Sequence, residues 1–598
     1  MCVSFIKKVF CTNRLSLNVT GISSGTMASV DIKKPSLCTS EPLAKESLSH
    51  ALSVFSKIVR SCYGPTGRLK QLHNGLGGCV RTSSQSSVLL SGLSGSHPVL
   101  KLLTASVQNH LARFSDCGLF TTIVCCNLLE KFQDTHVAPC TFIKISQHLL
   151  SQCINYLTSE ACGCRIPVDF SSSKILLGLV RSILTSKPTC MLSRKEADHI
   201  SILLLEAFLF TIPQEVRTGA VLGKCLYVPV KNKRVMDSAV YSGLLIEISE
   251  LHVTNVPPIK RGPLGAIKMA LFCASLSGDL ANSGEGVLTV HQGISLEAMV
   301  LHQLLNLGKQ MVRDGVGLVV CQKVIHPALQ QYLKENCVVA VERVGIALME
   351  PLQQMTGSQP ISSLQLLSPA CYGHLKDLQT RCFATKCFFH LIPSDPIVCS
   401  LVLCNRNETA WDELKLACQT AEHALQLTIR DPWVLLGGGC TETHLSSYIR
   451  HTSSAPTEGT LELLGCSQAE FQQVADSFCC SLASVACCLE HDQGSMLLDT
   501  NWGHSWSLLP GTPSRSDWSA FLSKCGCGLC QKEMPGLSWQ MLQCPWSPFL
   551  PKSVHESSVS SIDNPILDCF AAKKNALQVG VETAHLLIDL SYVIEDRN

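Results

Sequence analysis

Two short segments of the chain are rich in glycine, the residue that lets a backbone come closest to a ligand. Their residues are, in chain order, Gly64, Pro65, Gly67, Gly437, Gly438 and Gly439. Glycine has no side chain to keep a ligand away, so backbone N–H groups can approach phosphate oxygens. The three later glycines have a second interpretation, in which they end a helix and let two chain segments pack closely. The pattern alone leaves both interpretations open.

A third phosphate-like pattern is TGAVLGKC, which contains Gly223 and Lys224. In a P-loop the lysine contacts the phosphates, and the Ser or Thr after it binds Mg²⁺. Here Thr218 takes the place of the first glycine, and Cys225 takes the place of the magnesium ligand. This segment is therefore only a weak alternative nucleotide site.

Cys525, Cys527 and Cys530 in CGCGLC have a spacing that suits zinc. A structural zinc ion takes four ligands, and the only further candidates are the distant Cys544 or a histidine. Partial cysteine sets more often have a structural role. We therefore expect no metal here and keep zinc as the alternative.

The chain of 598 residues has 34 cysteines, many of them in apolar helical runs such as Cys125-Cys126 and Cys479-Cys480. Cysteine in such places behaves as a small buried hydrophobe. We therefore predict reduced, mostly buried thiols in a cytoplasmic protein. The net charge is +2 without a dense Lys/Arg block, which argues against a nucleic-acid partner. The most apolar stretch, 200–212, is too short to span a membrane and contains Glu206.

Hydrophobic periodicity predicts two helical arms around a central α/β region. Helices are expected at 46–59, 100–111, 121–132 and 412–428. Between the arms, a helix at 295–312 alternates with β-rich runs at 244–248, 269–273, 317–321 and 338–341. Such alternation is typical of an α/β unit. Residues 490–561 are rich in Ser, Pro, Gly and Trp and show no periodicity, which predicts an irregular segment.

Six motifs occur in an order that resembles group II chaperonins. They are YGPTGRLK, HPVLKLL, VVCQKVIHPALQQYL, AVERVGIALMEPLQQMTGSQPI, LLGGGCTE and AHLLIDLSYVIED. One match would be weak, but six ordered matches from residue 60 onward are specific. The resemblance implies a multidomain α/β fold of the group II chaperonin type. That fold has a helical equatorial domain, a two-part intermediate domain and an α/β apical domain.

The resemblance also implies domain boundaries. The equatorial domain is expected at 43–141 and 437–598, with the irregular insertion at 490–561. The intermediate domain is expected at 142–217 and 378–436, and the apical domain at 218–377. Residues 1–42 are predicted to be a disordered extension.

The resemblance implies a nucleotide site at Gly64, Pro65, Gly67 and the glycines 437–439, but two of the family's three carboxylates are missing from it. Asp116 matches the family's magnesium-binding Asp, although the motif here is SDCGL in place of GDGTT. Ser84 stands where the family has the Asp of NDGAT, and Thr420 stands where it has the water-activating Asp. A hydroxyl group cannot act as a general base near neutral pH. We therefore predict a vestigial site for ATP or ADP with Mg²⁺ that performs no hydrolysis. Asp116 has a second interpretation as a helix N-cap.

The resemblance implies a folding or assembly factor that does not hydrolyse ATP. It implies as partners other chaperonin-like proteins, cytosolic chaperonin subunits and ciliary coat subunits, at the centrosome or basal body. One alternative is an ATP-hydrolysing ring subunit, and another is a cysteine-rich redox or zinc-responsive scaffold.

Five tryptophans in the irregular segment suggest either a small satellite core or an interface, where aromatic residues are enriched. They are Trp502, Trp506, Trp518, Trp539 and Trp546. Charged residues are only 16% of the chain, which fits a surface that partners cover. We therefore expect mixed complexes and no stable closed ring of this chain alone.

Overall fold

A computed structural model describes sixteen segments of the chain. They are residues 37–40, 43, 46–73, 80–93, 97–213, 222–248, 257–262, 265–278, 296–362, 367–491, 494–508, 518, 521–531, 537–543, 546–553 and 564–595. The chain divides into two units, one formed by 1–42 with 591–598 and the other by 43–590. Predictions for residues 1–36 lie outside the described residues.

Fifteen α-helices lie within the described residues. They are α1 (Glu46–Arg60), α2 (Ser86–Gly92), α3 (Pro98–Phe114), α4 (Gly118–Gln133), α5 (Pro139–Thr158), α6 (Ser173–Thr185), α7 (Arg194–Phe210), α8 (Leu296–Arg313), α9 (Pro327–Glu335), α10 (Met349–Thr356), α11 (Glu408–Arg430), α12 (Cys440–Thr452), α13 (Glu458–Leu464), α14 (Gln468–Cys487) and α15 (Phe570–Ile588). The helices predicted at 46–59, 100–111, 121–132, 295–312 and 412–428 are confirmed as α1, α3, α4, α8 and α11. None of the described helices is long and apolar enough to cross a membrane.

Twenty-one short strands complete the described part. They are β1 (Leu37–Ser40), β2 (Lys70–Leu72), β3 (Arg81–Ser83), β4 (Arg165–Pro167), β5 (Lys224–Lys231), β6 (Ala239–Ser242), β7 (Leu244–Ile248), β8 (Ile267–Phe272), β9 (Leu318–Cys321), β10 (Val339–Val341), β11 (Gly373–Leu375), β12 (Asp377–Phe383), β13 (Lys386–Ile392), β14 (Val398–Asn405), β15 (Trp433–Leu436), β16 (Met496–Asp499), β17 (Ser505–Leu508), β18 (Leu522–Cys525), β19 (Trp539–Met541), β20 (Leu567–Cys569) and β21 (Tyr592–Glu595).

In the smaller unit, β1 pairs antiparallel with β21. Disorder was expected throughout 1–42, and this is wrong for Leu37–Ser40 because their backbone forms a ladder with Tyr592–Glu595. The ladder satisfies backbone hydrogen-bonding groups that an isolated extension would leave to water.

The central region of the larger unit is an α/β unit, as predicted. Its sheet has the order β10-β9-β8-β11, in which β8, β9 and β10 run parallel and β11 is antiparallel to β8. Successive residues of β8 point to opposite faces of the sheet and belong to two different apolar clusters, Leu271 to one and Phe272 to the other. The sheet is therefore buried on both faces, which is usual for parallel sheets.

Helices from both ends of the larger unit pack together. Helix α15 contacts α3, α4 and α5, and α14 contacts α4 and α5. A Cβ atom at Gly580 of α15 would lie 2.9 Å from the carbonyl oxygen of Thr121, so glycine permits this close approach. In addition, the Asn127 side chain donates to the Ser481 carbonyl at 2.9 Å. The two helical arms thus share one core, while the expected domain boundaries stay predictions.

The segment 490–561, expected to be irregular, contains a four-stranded antiparallel sheet of order β18-β17-β16-β19. Trp506 is fully buried, donates to Asp499 at 2.8 Å and meets the Trp539 ring edge-on at 4.7 Å. Trp546 belongs to an apolar cluster with residues of β16 and α14. The expectation of an irregular segment is therefore wrong. Burial of Trp506 and Trp546 favours the satellite-core interpretation of the tryptophans.

Most described cysteines are free and buried or partly buried, as predicted; Cys38 and Cys140 are exposed. One pair departs from the prediction of reduced thiols, because Cys382 and Cys387 form a disulfide. These two residues lie directly opposite each other on β12 and β13, with Cα atoms 4.1 Å apart. A cross-strand pair at the end of a hairpin cannot be recognised from an apolar run, and this is why the sequence did not indicate the bond.

Candidate functional site

A cavity of about 290 Å³ lies where the two glycine-rich loops meet. Its lining includes residues predicted for the nucleotide site, namely Gly64, Pro65, Ser84, Asp116, Gly438 and Gly439. Gly67, Gly437 and Thr420 lie outside this lining. Residues of the first turn of α4 and the N-cap residue of α12, Gly439, also reach the cavity, and helix N-termini favour anions.

The first glycine loop follows α1 and is held by tight backbone contacts. Gly64 has φ +83°, and a Cβ atom there would lie 2.6 Å from the Leu489 side chain. The N–H group of Gly67 donates to the Gly64 carbonyl at 3.1 Å. A Cβ atom at Gly67 would lie 2.4 Å from the Cys62 carbonyl oxygen. Gly67 therefore requires glycine for packing, and Gly64 requires it for its left-handed backbone conformation.

The second loop joins β15 to α12 as a strand–turn–helix unit. The interpretation that its glycines end a helix is wrong, because Gly439 is the N-cap of α12. The companion interpretation of close packing is confirmed: Cβ atoms at Gly437, Gly438 and Gly439 would lie 2.9, 2.0 and 2.7 Å from neighbouring atoms. A strand followed by glycines and a helix N-terminus is also a common way to present N–H groups to phosphate.

Asp116 enters the cavity beside a lysine. Its carboxylate accepts a hydrogen bond from Lys187 at 3.3 Å, and both side chains are mostly buried. Burial alone would raise the pKa of Asp116, but the Lys187 ammonium group outweighs this and holds the pKa below its usual value. The N-cap interpretation of Asp116 is wrong, since the residue before α4 is Cys117, with φ +64°.

A second buried cation, Lys573 of α15, lies in the same cavity wall. Its ammonium group is 2.5 Å from Glu442 of α12 and 2.9 Å from Asp568 of β20. It also lies 4.3 Å from the centre of the Phe120 ring. Burial alone would lower the pKa of Lys573, but the two carboxylates raise it well above its usual value. Lys573 therefore stays charged and connects three elements around the cavity.

Ser84 and Thr420 are each engaged with protein groups. The Ser84 hydroxyl donates to Glu413 at 3.1 Å, and the Ser84 backbone N–H donates to the same carboxylate at 3.2 Å. Glu413 is itself buried on α11 and lies outside the cavity lining. The Thr420 hydroxyl donates to the Ser115 carbonyl at 3.4 Å. The two hydroxyl groups thus stabilise contacts between elements.

The P-loop interpretation of Gly223 and Lys224 is wrong. A P-loop lysine lies where a loop enters a helix, whereas Lys224 is the first residue of strand β5. Its ammonium group pairs with the exposed Glu350. A Cβ atom at Gly223 would overlap the Ile397 carbonyl oxygen, so this glycine has a packing role.

Sequence reasoning missed Lys187 and Lys573. Lys187 lies two residues after the end of α6 and directly before Pro188, and no pattern marks it as buried. Lys573 stands within the largely apolar run that begins α15, FAAKKNAL, and a charge at that place is a weak signal of a buried ion pair. Their carboxylate partners come from distant segments, so their roles depend on the fold.

The comparison with known proteins decides the family. The sequence profile of the TCP-1/cpn60 chaperonin family matches residues 55–500. The chain belongs to the TCP-1/cpn60 chaperonin family. It is 56% identical over 574 residues to Molecular chaperone MKKS of Homo sapiens, which covers 96% of this chain and 100% of that relative. Its identity to the protein of the same name from Mus musculus is 54% over 573 residues, with the same coverage.

Other chaperonins match more distantly. Thermosome subunit alpha of Sulfolobus acidocaldarius is 23% identical over 415 residues, which cover 67% of this chain and 72% of the thermosome subunit. The resemblance to group II chaperonins is thus confirmed, and the mixture of helices and sheets fits the chaperonin fold. Membership in the chaperonin family supports a chaperone-like function.

Proposed function

We propose that this chaperonin works as a folding or assembly factor that does not hydrolyse ATP. The observation that carries the proposal is the pair of hydroxyl residues, Ser84 and Thr420, at the two positions where the family has catalytic carboxylates. Each hydroxyl is bound to a protein group, and Thr420 lies outside the cavity lining. Hydrolysis needs a group that orients or activates the attacking water.

The cavity supports binding of a nucleotide's phosphates. The N-terminal turn of α4 and the N-cap of α12 present backbone N–H groups that favour phosphate. The ammonium groups of Lys187 and Lys573 are paired with carboxylates and offset the negative charge of those groups. Magnesium in nucleotide sites is commonly held by one or two carboxylates together with the phosphates. Asp116 would hold Mg²⁺ here, and the bound ion would neutralise phosphate charge. We therefore propose ATP or ADP with Mg²⁺ as the ligand, with binding separate from hydrolysis.

Phosphate release from ATP tests the proposal. We expect negligible multiple-turnover release by the full-length protein and by Thr420→Asp, because Ser84 and the altered SDCGL motif remain. Release at the rate of an active chaperonin, abolished by Asp116→Ala, would contradict the proposal. A titration with ADP separates binding from catalysis: Asp116→Asn should weaken binding in Mg²⁺, because the magnesium ligand is lost, and should not weaken it in EDTA, because the released Lys187 ammonium group can face phosphate.

From the resemblance we also propose the domain arrangement and partners. The arrangement has equatorial segments at 43–141 and 437–598, intermediate segments at 142–217 and 378–436, and an apical domain at 218–377. The proposed partners are other chaperonin-like proteins, cytosolic chaperonin subunits and ciliary coat subunits, at the centrosome or basal body.

Light scattering of the purified protein tests how it assembles. A closed ring needs a matched head-to-tail contact between identical subunits. We expect this chain to contact other proteins instead, so the purified protein should form a species far smaller than a ring. The chain has a mass of 64.9 kDa. A homogeneous particle of about half a megadalton or more, the size that a multi-subunit ring of such chains would have, would contradict mixed assembly.

A further inference from the structure

Four buried side chains lie close together next to the second glycine loop, and none of them stands at a position matched to the family's ATPase site. They are Cys440, His504, Cys525 and Cys527, and their Sγ or ring nitrogen atoms all lie within 4.8 Å of one another. Cys440 is the first residue of α12, directly after the three glycines. His504 directly precedes β17, Cys525 ends β18 and Cys527 lies two residues after it, so the strands of the antiparallel sheet position these three ligands. All four side chains are almost completely buried.

Four of the six distances between these ligand atoms are close to those of a tetrahedral zinc site, and all six are within 4.8 Å. Zn–S bonds of about 2.3 Å and Zn–N bonds of about 2.0–2.1 Å place two sulfurs about 3.8 Å apart, and a sulfur and a nitrogen about 3.6 Å apart. The Sγ atoms of Cys440 and Cys525 are 3.7 Å apart, and those of Cys525 and Cys527 are 3.5 Å apart. The Nδ1 atom of His504 lies 3.5 Å from Cys525 Sγ and 3.7 Å from Cys527 Sγ.

The local backbone holds the ligands in this arrangement. The N–H group of Gly528 donates to the Cys525 carbonyl at 2.8 Å, and Gly528 has φ +73°, so the chain turns sharply between the cysteines. The backbone N–H of Cys527 donates to Cys440 Sγ at 3.2 Å. Hydrogen bonds of this kind orient metal ligands from outside the coordination sphere.

We propose that Cys440, His504, Cys525 and Cys527 bind a structural zinc ion. Three thiolates with one imidazole are a common zinc-binding set, and a closed set of four protein ligands is typical of structural sites. Sequence analysis expected no metal because it found no fourth ligand for CGCGLC. The fold supplies Cys440 and His504 from two other segments, and Cys530 lies 3.2 Å from His504 Nδ1 beside the cluster.

The ion would join two walls of the cavity. Gly526, between two of the ligands, and Gly438, two residues before Cys440, both line the cavity. The Ser505 hydroxyl donates to the Gly438 carbonyl at 2.7 Å, and the Gly526 N–H donates to the Ser505 carbonyl at 2.9 Å. Zinc would therefore fix the glycine loop against the sheet whether or not nucleotide binds.

Metal analysis of the full-length protein tests the site. Protein purified without chelator from cells grown with added Zn²⁺ should contain about one zinc ion per chain by mass spectrometry, as a closed four-ligand site requires. The variant Cys525→Ser/Cys527→Ser should lose this zinc. The matched variant Cys153→Ser/Cys321→Ser should keep it, because both of its cysteines are buried and neither belongs to the cluster. Equal zinc in the two variants would mean an adventitious ion only and would overturn the proposal.

Cobalt gives a test that needs no variant. After chelation and refilling with Co²⁺, the unmodified protein should show thiolate-to-cobalt charge-transfer bands and intense visible bands of tetrahedral cobalt. Weak octahedral bands without charge transfer would overturn the proposal. Peptide mapping without reductant that found a disulfide among Cys440, Cys525 and Cys527 would also overturn it, since a disulfide removes the thiolates that bind zinc.

Discussion

Replacing Lys573 with Met should lower the stability of this chaperonin by about 3–5 kcal/mol, the usual cost of removing one partner of a buried ion pair. Met keeps most of the side-chain volume, so lost charge and not lost packing causes the effect. The carboxylate of Glu442, 1% exposed, would lose the ammonium group 2.5 Å away, and Asp568 would lose its hydrogen bond. Scanning fluorimetry should show a melting temperature about 3–4 °C lower, because the entropy of unfolding grows with chain length and the unit is large.

The neighbouring Lys574 offers a matched control. Its ammonium group lies 5.0 Å from the centre of the Phe570 ring and is only partly buried. Lys574→Met should therefore change stability by no more than about 1 kcal/mol. Adding Glu442→Gln to Lys573→Met should recover part of the loss, because one unpaired buried charge is removed. If Lys573→Met and Lys574→Met melted at the same temperature, the buried ion-pair network would not exist as described.

The variant Gly438→Ala should be destabilised by on the order of 3 kcal/mol or more, from backbone strain and overlap together. Gly438 has φ +62°, and its Cβ atom would lie 2.0 Å from the Gly526 carbonyl oxygen. The obstacle is backbone, which cannot rotate away as a side chain can. The reciprocal change Gly526→Ala should have a similar effect, since its Cβ atom would lie 2.1 Å from the Gly438 carbonyl oxygen.

Gly459 is the control for these glycines. It lies in α13 with an exposed surface, and its Cβ atom would have no neighbour within 4 Å. Gly459→Ala should raise stability by up to about 1 kcal/mol, because alanine favours helix. Thermal unfolding of the three variants beside the unmodified protein measures both signs. A Gly438→Ala protein as stable as Gly459→Ala would contradict the close contact between the glycine loop and the sheet.

Periodicity predicted the elements that are long or lie in the central α/β unit. The helix expected at 46–59 is Glu46–Arg60, and the strand expected at 244–248 is Leu244–Ile248. The sheet within 490–561 was missed for a physical reason. Its strands have three or four residues, too few for alternation to appear, and Leu497 of β16 pairs with Met541 of β19 across a long connection.

The residues of the candidate site were likewise predicted from the sequence only in part. The resemblance to the family indicated the glycine loops, and residues of both loops line one cavity in the structure. Spacing could not indicate that His504 and Cys440 join CGCGLC, because the fold and not the local sequence places them there. The pairing of Asp116 with Lys187 is a further contact that no pattern along the chain predicts.

Packing of α15 against α3, α4 and α5 has a consequence for synthesis on the ribosome. At typical translation rates, roughly 20–90 s pass between completion of α4 at Gln133 and completion of α15 at Ile588. During that time the face of α4 that α15 will cover has no partner. A nascent chain in this state exposes apolar surface and is prone to aggregate. This chaperonin should therefore itself depend on other chaperones while it is being made.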